Sequence, residues 1–399
     1  MTMRINSNKK IHKMKRDPYT LLLRVTVILV AVVVVSAAIF FICNAAVQSD
    51  YKAKRAQVDK LNTDGVQDFD AKMNTLRDSH NKTIDPQTGE VSTADLPFWE
   101  IKLDDKTWRL EDQGNADLEN TSTVTLDRAS LINGGLLLVN AWHPLPADFS
   151  DSTLVGVGNS SGWKIAVADN SVRLFPVANE ALQNMITDAG AAGLADYIIR
   201  EAYRSNDTQT ELFNKQMDKL SSKYSGDILI EQAKKTVNYP GTSEFQTGLS
   251  FKLALYNKTD PKVAQAKFMD TDQGKWFINN CWKYGEVFRF PTIDFPVLGG
   301  EDKSYKTGVS AQLNVYRYVG KPHAVAMKIM DYCLEEYVEF LIAHPHICIY
   351  EDGALRYEIY RVKAEDAATY DLPVPNPASS YIASLDNLGG VVLAYTYEQ

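Results

Sequence analysis

The sequence has few of the side chains that bind metals through nitrogen or sulfur, with four cysteines and six histidines among 399 residues. Cys43 lies within an apolar run, whereas Cys281, Cys333 and Cys348 are widely spaced and form no C-x-x-C pair. This spacing indicates no cysteine-based metal cluster. Because three is an odd number, at most one disulfide can form among the last three cysteines.

Acidic residues outnumber basic residues outside the N-terminal segment. Residues 1–24 contain seven Lys or Arg and one Asp, which gives a net charge of +6. The whole chain has a formal net charge of −8, so residues 25–399 carry −14. Proteins that bind nucleic acids place clustered Lys and Arg against phosphates. The acidic remainder therefore argues against a nucleic-acid partner.

A long uncharged run of 23 residues, VTVILVAVVVVSAAIFFICNAAV, covers positions 25–47. A helix of this length can cross a bilayer core about 30 Å thick. The basic flank precedes the run, which places the N-terminus in the cytoplasm and the body outside. The alternative is a cleaved signal peptide, with small residues near Asn44 as the cut site. The run exceeds the usual signal core of about 7–15 residues, which favours an uncleaved anchor.

Composition and periodicity divide the chain into segments. They are a basic cytoplasmic tail (1–24), a transmembrane helix (25–47), a polar stalk or linker (48–92), a short strand region (93–130), a main domain (131–345) and a C-terminal β appendage (346–399). Helical and alternating periodicities are mixed in the last three segments. They predict an α+β fold, in which helices pack on an antiparallel sheet, preceded by one transmembrane helix.

Three local patterns are strong enough to place elements. Residues 347–362 alternate around Glu351-Asp352-Gly353, which predicts a hairpin. The tail 380–398 reads as two strands around Gly389-Gly390, and residues 325–342 have helical apolar spacing after Pro322.

Several sequence blocks together are similar to the zinc D-alanyl-D-alanine carboxypeptidases of the VanY type. The resemblance spans about residues 131–345, and the region after 345 matches an appendage less closely. Its blocks are LLLVNAWHPLP (136–146), EAYRSNDTQTELF (201–213), PGTSEFQTGLSF (240–251), KWFINNCWKYGEVFRFP (275–291) and VYRYVG (315–320) with a following helix that contains LEEYVEFL. Their order and spacing fit that family.

This resemblance implies a particular chemistry. Enzymes of the family bind one zinc through a His and an Asp in the pattern S-x-H-x-x-G-x-A-x-D and through a second His in the pattern E-x-W-H, whose Glu is the general base. Three protein ligands leave an open position at which zinc lowers the pKa of a bound water. The carboxylate takes the proton as the water attacks the peptide bond.

At the matching positions this chain has different residues. The first His position is Phe245, the Asp position is Lys252, the second His position is Val315 and the Glu position is Gln312. Phe and Val have no lone pair for a metal, Lys is a cation at neutral pH, and Gln accepts no proton. The resemblance therefore implies that zinc and catalysis are lost. The parts of the pattern that remain are Ser243, Thr247 and Gly248, of which Gly248 allows the loop to bend.

The substrate side of the pattern is better kept. Its candidates for peptide binding are Arg204, Ser205, Gln209, Ser243, Thr247 and Lys252. Arg204 either holds a peptide carboxylate through a two-pronged hydrogen bond or pairs with a nearby acid and braces the loop. Lys252 either presents a positive charge near the former metal position or turns to solvent, and the second alternative is favoured. Phe245 and Val315 are expected to fill the cavity.

The histidines offer no obvious relocated zinc site. His12 lies in the tail, His80 in the stalk, His143 in a turn and His323 at a helix start, whereas His344 and His346 flank Pro345 in an apparently exposed turn. A catalytic zinc needs about three converging ligands.

These observations predict a pseudoenzyme anchored in a bacterial cell membrane by a single span, with its C-terminal domain outside the cytoplasm. Its expected partner is peptidoglycan stem peptide or an envelope protein, bound without hydrolysis and without a cofactor. One alternative is an active D-alanyl-D-alanine carboxypeptidase with an altered site. Another is a structural envelope protein with a vestigial pocket.

Overall fold

A computed structural model of the chain describes residues 26, 27, 29, 30, 34–37, 45, 49, 52, 98–158, 165–297, 299–309 and 312–398. The chain divides into two compact units, residues 1–64 and 65–399. Described residues of the first unit are helical, and no helix among the described residues is long and apolar enough to cross a membrane. The span 25–47 is described only in part, and the tail and most of the stalk lie outside the described residues, so these assignments stay predictions.

The described part of the second unit contains both strands and helices. Its strands are β1 (Phe98–Leu103), β2 (Lys106–Gly114), β3 (Thr121–Asp127), β4 (Val155–Gly156), β5 (Ala166–Val167), β6 (Arg173–Leu174), β7 (Tyr197–Glu201), β8 (Ser250–Leu255), β9 (Glu286–Phe288), β10 (Val315–Tyr318), β11 (His346–Glu351), β12 (Ala354–Lys363), β13 (Thr369–Pro375), β14 (Ser380–Leu385) and β15 (Gly390–Thr396). Its α-helices are α1 (Arg128–Ile132), α2 (Pro176–Ala191), α3 (Asn206–Leu220), α4 (Gly226–Lys234), α5 (Asp272–Asn280), α6 (Ser304–Thr307), α7 (Lys321–Met330) and α8 (Leu334–Ala343).

A five-stranded sheet has the order β5-β7-β8-β10-β9. The β5–β7 pair is parallel and the other pairs are antiparallel. Apolar residues of β7, β8 and β10 form one buried cluster with the inner faces of α2 and α5. Phe251, Phe277 and Tyr316 stack edge to face or in parallel at its centre. Such aromatic packing fixes the sheet against the helices.

A six-stranded antiparallel sheet has the order β1-β2-β11-β12-β15-β14. It joins strands from the segments 93–130 and 346–399, although more than two hundred residues of sequence separate them. Helices α7 and α8 cover one face through a large apolar cluster. The β3–β13 pair and residues 131–139 contribute to a second cluster that includes Leu393 and Tyr395 of this sheet. Helices thus pack on antiparallel sheets, as predicted.

The hairpin prediction is confirmed, because β11 and β12 meet at Asp352 and Gly353, which both have positive φ. The two strands predicted around Gly389-Gly390 are also present as β14 and β15. The single helix predicted for residues 325–342 is wrong. Asp331 adopts a left-handed conformation with φ of 55°, and the helical path ends there and starts again as α8.

The prediction that His344 and His346 lie in an exposed turn is also wrong. Their exposed fractions are 1% and 5%. Pro345 directly precedes β11, which lies between β2 and β12 in the six-stranded sheet. His346 is therefore the first residue of a central strand, and His344 lies just before it. His344 Nδ1 lies 2.6 Å from Asp112 Oδ2, and His346 Nε2 lies 2.8 Å from Glu358 Oε1. Burial of these imidazoles is possible because adjacent strands supply polar partners.

Candidate functional site

The loop between α4 and β8 is held in a tight bend by its own side chains. Residues Glu244–Thr247 form one turn of 3₁₀ helix. The Gln246 Oε1 atom accepts a hydrogen bond from the Gly241 N–H at 2.7 Å, and the Thr247 hydroxyl donates to the Glu244 carbonyl at 2.7 Å. These bonds satisfy polar groups of a buried loop, which would otherwise cost free energy.

Gly248 ends this turn, as the sequence predicts. Its φ is 68°, and a Cβ atom there would lie 2.8 Å from Leu154 Cδ2 and 2.9 Å from Phe175 Cδ2. Both the left-handed backbone and the lack of space therefore require glycine.

Pairing of β8 with β10 brings side by side two of the positions that the family pattern assigns to metal ligands. Val315 lies directly opposite Lys252, and Glu201 of β7 lies opposite Lys252 on its other side. Directly opposed residues of antiparallel strands point to the same face. Phe245 packs with Val315 in a buried apolar cluster with Phe290. The three positions that the family pattern assigns to ligands therefore converge in space.

The residues at this place do not fit a zinc ion. Phe245 is 2% exposed and Val315 is 0% exposed, and neither has an atom that binds a metal. Lys252, which is half-buried, would add positive charge next to a dication. The arrangement is an apolar cluster beside an ammonium group.

Arg204 lies against this cluster. Its guanidinium stands 4.4 Å from the centre of the Phe245 ring, a cation–π distance. The Nε atom donates to Glu201 Oε1 at 2.6 Å, and Nη1 donates to Gln209 Oε1 at 2.9 Å. The Arg204 N–H also donates to the Phe245 carbonyl at 2.9 Å. These contacts are those of the bracing alternative.

The other candidates also have identifiable places. The Ser205 hydroxyl caps α3 by accepting from the Thr208 N–H at 3.1 Å, and Gln209 Nε2 donates to the Asn238 carbonyl at 2.7 Å. Ser243 is buried at the start of the 3₁₀ turn. Gln312 is half-buried in the segment that leads into β10. The structure thus groups Arg204, Gln209 and Lys252 around the loop, while Ser205 serves the adjoining helix.

Behind the loop lies a buried ionic network. Glu244 accepts from Arg289 Nε at 2.7 Å, from Ser250 Oγ at 2.7 Å and from Arg317 Nη1. Arg289 also makes a two-pronged contact with Glu335 of α8, at 2.9 and 2.7 Å. Sequence reasoning missed these residues, although Glu244 adjoins Phe245 and Arg317 lies two residues after Val315.

This network explains why a charged residue can be buried in the loop. Burial by itself raises the pKa of Glu244, but the Arg317 and Arg289 guanidiniums outweigh it and hold that pKa at about 2. Arg317 also donates to the carbonyls of Gly135 and Leu137 at 2.7 and 2.9 Å. The loop, β10 and the segment before the site are therefore fixed to one another by charge-assisted hydrogen bonds.

The fold and site together define a class of protein. It is a mixed α/β unit with antiparallel sheets, in which a bent, glycine-ended loop lies against the β8–β10 pair. Residues 171–321 match the family model described as VanY: D-alanyl-D-alanine carboxypeptidase. The chain therefore carries a domain of the VanY family.

Individual relatives agree with this assignment. A D-alanyl-D-alanine carboxypeptidase of Enterococcus faecium is 27% identical over 288 residues, which cover 71% of this chain and 82% of that protein. A bifunctional D-Ala-D-Ala dipeptidase and carboxypeptidase of Enterococcus gallinarum, VanXYC, is 27% identical over 52% of this chain and 94% of that protein.

Among solved structures, the vancomycin resistance D,D-dipeptidase VanXYg in complex with a D-Ala-D-Ala phosphinate analogue is similar in fold. It aligns with a TM-score of 0.50 and 25% identity over 69% of this chain and 99% of that chain. The alignment covers nearly all of that structure, so the common part is a whole domain.

Proposed function

We propose that this chain binds the peptidoglycan stem peptide, through its D-Ala-D-Ala end, without hydrolysing it. The observation that carries the proposal is the packing of Phe245 with Val315 beside Lys252, at the positions of the family's metal ligands. A zinc-dependent peptidase needs lone pairs there to activate water. Apolar carbon and an ammonium group supply none.

Binding remains chemically reasonable at this place. A peptide that ends in a free carboxylate carries one negative charge, and the Arg204 guanidinium is a cation beside the cluster that Glu201 already pairs with. Lys252, opposite Val315, is a second cation. The side chain of Arg204 is 15% exposed, so a ligand can reach part of it. A charge-assisted hydrogen bond from a half-buried cation contributes more to the free energy of binding than one from a fully exposed cation.

Hydrolysis is the second candidate, and the relatives favour it. The proteins of Enterococcus faecium and Enterococcus gallinarum are named as carboxypeptidases, and the structural neighbour binds a D-Ala-D-Ala phosphinate analogue. An active enzyme would require ligands and a base other than the residues at 245, 252, 312 and 315. A structural envelope protein with an empty cleft is the third possibility, and it predicts no peptide binding.

Release of D-alanine distinguishes hydrolysis from binding. The purified full chain is incubated with an N-acetylated peptide that ends in Lys-D-Ala-D-Ala, with and without added zinc, beside a heat-treated sample. We expect no release of D-alanine above the heat-treated sample. Zinc-dependent release would overturn the proposal and favour the carboxypeptidase.

Titration with the same peptide tests the cleft directly. Arg204→Ala is compared with Arg200→Ala, which removes an exposed guanidinium from β7, four residues earlier in the chain. We expect at least about tenfold weaker binding for Arg204→Ala, equivalent to about 1.4 kcal/mol, and unchanged binding for Arg200→Ala. Equal affinity in both variants, or no binding by the wild type, would favour the structural alternative.

The setting is part of the proposal. The apolar run 25–47 and its basic flank support a single-pass anchor in a bacterial cell membrane with the domain outside. A protease added to intact cells should then remove the domain. Protection of the domain until the cells are lysed would contradict this orientation.

A further inference from the structure

A compact group of three potential metal ligands lies far from the β8–β10 pair, on the six-stranded sheet. His346 and Cys348 are two residues apart on β11, and Glu358 of β12 lies directly opposite Cys348. Because side chains alternate along a strand and opposed residues share a face, all three point to one side. Ile347 and Ile349 point to the other side, into the core with α7 and α8.

The ligand atoms of these three side chains converge. His346 Nε2, Cys348 Sγ and a carboxylate oxygen of Glu358 all lie within 4.8 Å of one another. His346 Nε2 is 2.8 Å from Glu358 Oε1, and Cys348 Sγ is 3.9 Å from the same oxygen. Zinc bonds to N, O and S are about 2.0–2.3 Å, so tetrahedral ligands are about 3.3–3.8 Å apart. Small side-chain shifts would bring the group to that spacing.

The surroundings hold the ligands in a suitable orientation. His346 Nδ1 lies 2.7 Å from the Ala116 carbonyl, so this nitrogen is the donor and Nε2 faces the group. The Tyr397 hydroxyl donates to the other oxygen of Glu358. Hydrogen bonds from the outer atom of a ligating His to a backbone carbonyl, and to the free oxygen of a ligating carboxylate, are the usual support of metal sites.

We propose that His346, Cys348 and Glu358 form a binding site for a divalent metal ion of the zinc class. Imidazole, thiolate and carboxylate together suit zinc better than calcium or magnesium, which prefer oxygen ligands alone. A fourth position would be taken by water. This site is separate from the place where the family binds zinc, and the proposal does not depend on whether the chain hydrolyses peptides.

The charge balance of the site agrees with a dication. Binding replaces the thiol proton of Cys348, which leaves to solvent, and His346 contributes the lone pair of Nε2. One thiolate and one carboxylate then neutralise the two charges of the ion. Without a metal, burial raises the pKa of the Cys348 thiol, and the Glu358 and Glu111 carboxylates raise it further.

Cobalt substitution provides the test, because a thiolate bound to Co²⁺ gives a charge-transfer band in the near ultraviolet. The full chain is stripped with a chelator, dialysed and titrated with Zn²⁺ or Co²⁺. We expect one equivalent of zinc per chain and the thiolate band with cobalt. Cys348→Ser should lose the band and bind zinc at least about tenfold more weakly.

Cys333→Ser is the matched control, since Cys333 is a buried cysteine at the N-cap of α8, a position where Ser is favoured. It should keep both the band and the stoichiometry. Glu358→Gln keeps the Cys348 thiolate, so it should keep the charge-transfer band while its zinc affinity falls. This second ligand variant tests the site without relying on the fold of Cys348→Ser. A metal-free protein, or a band that survives Cys348→Ser, would overturn the proposal and leave a hydrogen-bonded trio.

Discussion

Val315 lies directly opposite Lys252 in the register of β10 and β8. Two ligands at these positions would stand next to each other on one face of the sheet, close to the residue at 245 in the adjoining loop. The framework for a three-ligand site is therefore present, and the side chains on it are an aliphatic group, an ammonium group and an aromatic ring.

Restoring the ligands should restore metal binding at this place. A variant with Phe245→His, Lys252→Asp, Val315→His and Gln312→Glu replaces the apolar cluster with three ligands and a carboxylate. In a Cys348→Ser background, which weakens the other candidate site, we expect the zinc content to rise by about one equivalent per chain. The parent Cys348→Ser protein is the control. Zinc content that does not change would show that these positions fail to converge as a site.

Phe245 should contribute strongly to stability. Its ring is buried against Phe290 and Val315 and lies under the Arg204 guanidinium. Phe245→Ala removes this packing and leaves a cavity, so we expect a loss of about 3–5 kcal/mol in the free energy of unfolding. Denaturant unfolding measures it. Phe98→Ala, at an exposed ring, should cost much less, and similar losses for the two variants would contradict the assigned packing.

Glu244 should be needed to compensate two buried arginines. Glu244→Gln leaves Arg317 and Arg289 with one carboxylate fewer, and breaking a buried ion pair typically costs about 3–5 kcal/mol. The exposed Glu365→Gln should change the free energy of unfolding by less than about 0.5 kcal/mol. Equal effects would mean that the network does not support the loop.

Glu244 should also make the free energy of unfolding depend on pH in the acid range. The pKa of Glu244 is about 2 in the folded protein and near 4.5 in its ordinary state. A carboxyl with a depressed pKa stabilises the fold fully above the ordinary value and loses that contribution as pH falls from 4.5 to 2. The decline should amount to about 3 kcal/mol and should be absent from Glu244→Gln. An equal decline in the variant would assign it to other groups.

His323 should produce a separate decline at higher pH. Burial lowers its pKa from 6.5 to about 3, and Nδ1 lies 2.9 Å from the Tyr337 hydroxyl. The unfolded chain then binds the proton more readily, so stability falls as pH drops below 6.5. Between pH 6.5 and 4.5 the loss should be about 3 kcal/mol. Thermal unfolding of His323→Phe, whose ring cannot titrate, should lack this component, and a retained slope would contradict the assignment.

Zinc bound to the wild-type protein does not by itself decide between peptide binding and peptide hydrolysis. Stoichiometric zinc would ordinarily be taken as support for the carboxypeptidase alternative. The group formed by His346, Cys348 and Glu358 provides another place for that ion. Zinc measured in Cys348→Ser, together with D-alanine release, therefore separates the two sites.

Local sequence determined many elements and part of the site. Alternation and turn residues specify the hairpin at Asp352 and Gly353, because strand period and left-handed turn residues act over a few positions. The bend at Gly248 follows from the same local chemistry. The motif order was sufficient to indicate the family, whereas the loss of its metal ligands stays a prediction.

Only the tertiary structure decided which distant residues meet. Strands near residue 110 and residue 348 pair in one sheet, and this buries His344 and His346, which the sequence alone placed in an exposed turn. Tertiary packing also brings Arg289 to Glu335 of α8, 46 residues further along the chain. Periodicity fixes the face of a strand but not its neighbour, because strand order and register depend on packing between segments far apart in the chain.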